Sequence, residues 1–151
     1  MSSDSSVQGC IGETVSAALA AAARDAATDE EVVDALTRIA SDEARHARLA
    51  WSTAKWALSK GDASVRAAVE KVLFDPDAWA PGPSEDAGEE GEVHGRLTAA
   101  SQKRVIKDAI RYVVRVCAAV LLGHQAGPPE DLIEVASLRE VRESVMQALL
   151  A

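Results

Sequence analysis

An all-α fold is what this sequence predicts, and three observations carry the prediction. Alanine dominates a hydrophobic fraction of 48%, while aromatic residues make up only 3% of the chain. Alanine, leucine, arginine, glutamate and lysine lose little freedom on entering a helix, and the β-branched residues are mostly single valines set among them. Apolar residues also recur at gaps of three and four, and capping residues and glycine or proline breaks divide the chain into helix-length pieces.

Residues 1–8 read as a polar, serine-rich lead-in. Residues 9–27 form the first helix, with GETVSAALAAAARDAA as its body. Thr28-Asp29-Glu30-Glu31 then fits a capping box, with Thr28 as N-cap and Glu31 at the third helical position. It opens a second helix to about Ser59, stopped by Lys60-Gly61. The two helices make a hairpin with a tight turn near Thr28. Asp62 caps a third, shorter helix through Leu73.

Residues 74–95, FDPDAWAPGPSEDAGEEGEVHG, hold three prolines, four glycines and an acidic run. That composition predicts an irregular linker over residues 76–95. Thr98 or Ser101 starts a fourth helix that ends at Leu122-Gly123, and HQAGPPED is a further break. A last helix from about Glu130 to Leu150 carries Leu132, Val135, Leu138, Val141, Val145 and Leu149 at amphipathic spacing. The expected organisation is a helical hairpin (residues 1–60), a short helix and acidic linker (61–96), and C-terminal helices packing on the hairpin (97–151).

The net charge of −8 excludes the basic footprint of a nucleic-acid binder. The most apolar stretch, residues 113–122, is interrupted by Arg115 and too short to span a bilayer. MSSDSSVQG has neither the basic nor the apolar region of a signal peptide. Cys10 and Cys117 lack CxxC spacing and fit reduced thiols. The expectation is a cytoplasmic protein with no membrane and no nucleic-acid partner.

One stretch looks chosen for chemistry: SDEARHARLAW, residues 41–51. On the second helix Leu36, Ile39, Glu43, His46, Ala50, Thr53 and Ala57 fall on one stripe, and Ala40, Ala44, Ala47, Trp51, Ala54 and Leu58 on its neighbour. Arg38, Asp42, Arg45, Arg48, Ser52 and Lys55 form the expected solvent face. Glu43 and His46 thus share a stripe with leucine and isoleucine, where a carboxylate is costly unless paired, protonated or metal-bound. Glu13 lies 15 residues before Thr28 and Glu43 lies 15 after it. Each arm is about 22 Å long at a helical rise of about 1.5 Å per residue, so the two glutamates reach the same height. Helix axes roughly 8–10 Å apart would bring two inward carboxylates within reach of one ion. Two carboxylates and one histidine suit iron or manganese better than zinc or copper.

Glu13 on one helix and Asp42-Glu43-Ala44-Arg45-His46 on the next resemble one half of a ferritin-like di-iron carboxylate bundle, the rubrerythrin-like group included. GCIGETVSA, IASDEARHARLAW and STAKWAL are similar to the second half of bacterial ferritin-like domain proteins, over residues 9–58. The segment from HGRLTAASQKR onward resembles them more loosely. The resemblance implies a ferritin-like hairpin, half of a four-helix bundle, with additional C-terminal helices. It also implies a di-iron or di-manganese centre, with Glu13 as terminal ligand, Glu43 as bridging ligand and His46 as nitrogen ligand. The implied activity, if the protein is an enzyme, is oxygen- or peroxide-dependent oxidation, with iron oxidation as the simplest case.

The chain departs from that pattern in having one Glu and one Glu-x-x-His where a full site needs two of each. His94 follows Gly91 at three residues and His124 follows Leu121, so neither repeats the motif. A homodimer through the hairpins would duplicate the missing ligands by two-fold symmetry. The alternatives are a complementary ferritin-like half on another subunit, a truncated or vestigial half, and a metal-free helical interaction module. Trp51, Trp56 and Trp79 are expected as packing residues, His94 and His124 as solvent-facing ones, and Cys10 as a small core residue.

Overall fold

The computed structural model describes residues 3–75, 88–124 and 136–151, and among them every regular element is helical. The elements run α1 (Ser3–Ala26), α2 (Glu30–Ser59), α3 (Ala63–Phe74), α4 (Gly88–Val93), α5 (Ala99–Ala109), a π-helical turn (Ile110–Val114), α6 (Arg115–Leu121) and α7 (Ala136–Leu150). No described helix is long and apolar enough to cross a membrane.

Local sequence explains most of the boundaries. The Asp29 carboxylate accepts from the Glu31 and Val32 amides at 2.9 and 3.3 Å, so it caps α2. The expected cap, Thr28, is one residue early. Its own amide instead donates to the Val93 carbonyl at 3.2 Å, which ties α4 to the hairpin turn. Glu30 and Glu31 complement the positive end of α2, and Gly61 ends the turn beyond it with φ +74°. Asp62 caps α3 and Thr98 caps α5, each through side-chain acceptance of backbone amides.

Three boundaries differ from the expectation. The serine-rich start continues α1 back to Ser3, with Val7 and Cys10 buried on the face that Ile11 extends. The linker expected to be irregular over residues 76–95 contains α4. In the last turn of α4, the Glu92 carboxylate accepts from the Ser101 hydroxyl at 2.7 Å and the Thr98 amide at 3.3 Å. The continuous fourth helix is interrupted by a π-helical turn at Ile110–Val114, which no sequence signal marked. Residues 76–87 and 125–135, with Trp79, Leu132 and Val135 among them, lie outside the described residues.

Helix α1 is the axis of the fold. It packs against α2, α3, α5 and α7, while α7 also lies along α2 and α6 lies against α3. One core joins Ile11, Trp51, Val69, Val113, Leu138 and Val145 with a lining of buried alanines. Leu138, Val141, Val145 and Leu149 face that core, as the spacing of α7 predicts.

The alanine stripe of α2 is the one that buries: Ala40, Ala47, Trp51 and Ala54. Docking of α7 covers part of the presumed solvent face, leaving Arg48, Ser52 and Lys55 partly buried. The Lys55 ammonium donates to the Leu149 and Ala151 carbonyls at 2.7 and 2.8 Å, a cation placed at the negative end of α7. Trp56, expected to pack, is exposed and lies under the Lys60 ammonium. Cys10 and Cys117 are free and buried, and burial pushes each thiol up to about 12.

Candidate metal centre

Glu13 projects from the middle of α1, and Glu43 and His46 from the middle of α2, three apart and therefore neighbours on one helix face. The equal arms of the hairpin bring the three together. His46 Nδ1 lies 3.7 Å from Glu13 Oε2 and 3.8 Å from Glu43 Oε2. One donor atom from each of the three falls within 4.8 Å of the others. Carboxylate and imidazole donors bind a first-row ion at about 2.0–2.2 Å, so neighbouring donors around one ion lie roughly 3–4 Å apart. The three side chains fit such an ion with little movement.

Electrostatics are those of crowded carboxylates. Partial burial raises the Glu43 carboxyl above its ordinary 4.5, and a hydrogen bond and repulsion from Glu13 add to the rise. His46 opposes it and Asp42 adds slightly. Two carboxylates near one another hold a proton more tightly unless a cation replaces it. Asp42 is paired with Arg45 on the outer side of the helix.

The orientation of the site differs from the expected one. The stripe through Ile39, Glu43 and His46 does not point into the chain's own core. The side chains are 56% exposed at His46, 39% at Glu13 and 27% at Glu43. Along the helix the two stripes of α2 lie close together, and the alanine one is the more deeply buried, while Leu36, Glu43, Ala50 and Ala57 of the other are only partly covered. Glu43 and His46 are left at the rim of the α1–α2 interface.

That rim has further exposed apolar residues. Ile39 lies one heptad before His46, and Leu49 and Trp56 lie one heptad apart beside it, all three exposed. On α1 the corresponding edge is made of small residues. A side chain added at Gly9 or Gly12 would meet nothing within 4 Å.

One pair of residues behind the site escaped the sequence reading. Trp51 Nε1 donates to Thr14 Oγ1 at 2.8 Å, and that hydroxyl donates to the Cys10 carbonyl at 2.7 Å. Both side chains are buried. The signal was present: Thr14 is a lone polar residue on the stripe Val7, Cys10, Ile11, Val15 and Ala18, and a buried indole needs an acceptor. Cys10 belongs to this interior and not to the metal-type cluster, while His94 and His124 are exposed.

Searches with protein-family models, among curated proteins and among solved structures found no match to this chain.

Proposed function

We propose that Glu13, Glu43 and His46 are one half of a di-metal carboxylate centre that a second copy of the chain completes. The observation that carries this reading is the position of the three donors: mutually close, of metal-binding type, and at an edge the rest of the described chain does not cover. Two carboxylates and one imidazole are too few to hold a pair of ions. Two copies about a two-fold axis would supply four carboxylates and two imidazoles.

The surroundings favour such a partner. Ile39 and Leu49 offer apolar surface near the donors, Trp56 extends it farther along α2, and Gly9 and Gly12 leave room for a close backbone approach beside Glu13. The ferritin-like resemblance of residues 9–58 points to the same pairing of hairpins. Iron or manganese suits this donor set, and when bound would supply oxygen- or peroxide-dependent oxidation. Glu13, Glu43 and His46 would hold the ions, with Glu13 as the terminal, Glu43 as the bridging and His46 as the nitrogen ligand that the resemblance implies. The crowding of Glu13 against Glu43 favours a cation between them.

The same exposed Ile39, Leu49 and Trp56 favour a second reading, a metal-free helical interaction module, because that surface calls for a partner whether or not metal is present. Anaerobic titration with Fe(II) or Mn(II) separates the two. Wild-type protein should take up close to one ion per chain. Glu13→Ala, Glu43→Ala and His46→Ala should each lose uptake, and Asp42→Ala should keep it. Wild-type protein that takes up neither ion leaves the interaction module.

A further inference from the structure

We infer that the buried Thr14–Trp51 hydrogen bond is a positioning contact that sets the register of α1 against α2, and so holds Glu13 opposite Glu43 and His46. The inference rests on the half-site reading for its functional meaning and on geometry for its substance. Thr14 follows Glu13 directly in sequence, yet it is fully buried where Glu13 is half-exposed. Successive helical residues point about 100° apart, so one places its side chain at the rim and the next in the interface.

Trp51 is eight residues beyond Glu43, too far along α2 to meet Thr14 if side chains stood perpendicular to the axis. They do not. Helical side chains lean toward their own N-terminus. In an antiparallel hairpin the Trp51 indole therefore leans toward the turn and Thr14 leans away from it, and the two converge at 2.8 Å. Ala47, one turn before Trp51 and fully buried, leaves space on that side of the helix.

A directional lock has a reason to be here. The rest of the α1–α2 interface is largely alanine: Ala17, Ala18 and Ala21 from one helix, Ala40, Ala47 and Ala54 from the other. Methyl groups give shallow ridges that do little to resist sliding. A slip of one residue moves a side chain about 1.5 Å along the axis and swings it by about 100°. That is enough to take Glu43 away from Glu13. Among the described residues, Trp51 to Thr14 is the one fully buried side-chain hydrogen bond between these helices.

The test uses the full chain in the apo form and with Co(II). Thr14→Val removes the acceptor at constant shape, Thr14→Ser keeps it, and Trp51→Phe removes the donor while keeping an aromatic ring. The first readout is the nuclear Overhauser contact between the His46 ring and the Glu13 side chain, which needs no metal. Wild-type and Thr14→Ser should show it; Thr14→Val and Trp51→Phe should lose it. Leu97→Ala, outside the main core, should lower the melting temperature and leave the contact in place, separating register from stability. The second readout is Co(II) affinity, expected to fall at least tenfold in Thr14→Val and to return within about twofold in Thr14→Ser. The contact surviving in both Thr14→Val and Trp51→Phe, or missing from the wild type, overturns the positioning role. Wild-type protein that shows the contact but binds no Co(II) overturns the half-site and leaves the positioning role standing.

Discussion

Replacing Gly95 by alanine should destabilise the fold more than the same change at Gly61, although both glycines have positive φ. Gly95 sits at φ +83° and Gly61 at φ +74°. An L-residue in that region costs about 1–2 kcal/mol, so both changes share this part. They differ in surroundings. A methyl group at Gly61 meets nothing within 4 Å, whereas one at Gly95 would lie 2.8 Å from Leu36 Cδ1 and 2.9 Å from Val32 Cγ1. Carbon atoms prefer about 3.5–4.0 Å, so both neighbours must move by nearly an ångström. Leu36 can swing its terminal methyl aside. Val32 is held in one rotamer by the helix, and its overlap costs at least about 1 kcal/mol on the scale of overpacked sites. The totals are about 1–2 kcal/mol for Gly61→Ala and about 2–4 for Gly95→Ala. At about 2–4 °C per kcal/mol for a chain of this size, the melting temperatures should fall by roughly 2–8 °C and 4–16 °C. Thermal melts followed by circular dichroism measure both. Adding Val32→Ala to Gly95→Ala should recover part of the difference, a coupling a double-mutant cycle isolates. Equal losses at the two glycines, with no coupling to Val32, would refute the contact between this loop and α2.

Two further outcomes follow from caps and charges. Asp29→Ala removes the acceptor for two amides of α2 and should cost about 1 kcal/mol, while Thr28→Ala should stay within about 0.5 kcal/mol; urea midpoints of the two variants decide between them. The Glu43 carboxyl is raised in the folded state, so the stability tied to its proton is present below 4.5 and is lost as pH rises through the folded value. Metal-free Glu43→Gln should lack that loss, so its advantage over the wild type should appear on raising the pH above 4.5 and vanish below it. Urea midpoints across that range check this, and a constant offset at all pH values would contradict it.

Much of this architecture was legible because its signals are local. Gly61 and Asp62 act through one turn of backbone, and their types alone mark the end of α2 and the start of α3, while Thr98 and Ser101 offered the same capping chemistry for α5. The proximity of Glu13, Glu43 and His46 was legible for a different reason: equal arms about a tight turn fix relative height whatever the helices pack against. The direction of that group was not. Two stripes of α2 lie side by side, both rich in small or apolar residues, and only the docking of α1 and α7 decides which is buried. Arg48 and Lys55 misled in the same way, because α7 returns from far along the chain to cover them. The cap at Asp29 was missed since Thr28 offers the same chemistry one residue earlier, and α4 because glycine and glutamate in residues 88–93 look like linker until Glu92 and Val93 find their partners.

Two copies of this chain are proposed to complete a metal centre with Glu13, Glu43 and His46 from each. Native mass spectrometry of the full chain, titrated anaerobically with Fe(II) or Mn(II), reads mass and metal count from the same species and so decides between pairing and its absence. The expected species is a dimer carrying two ions, lost when His46 is replaced by alanine. A monomer that holds one ion per chain, or a dimer that forms unchanged and takes up no metal, would overturn the shared centre.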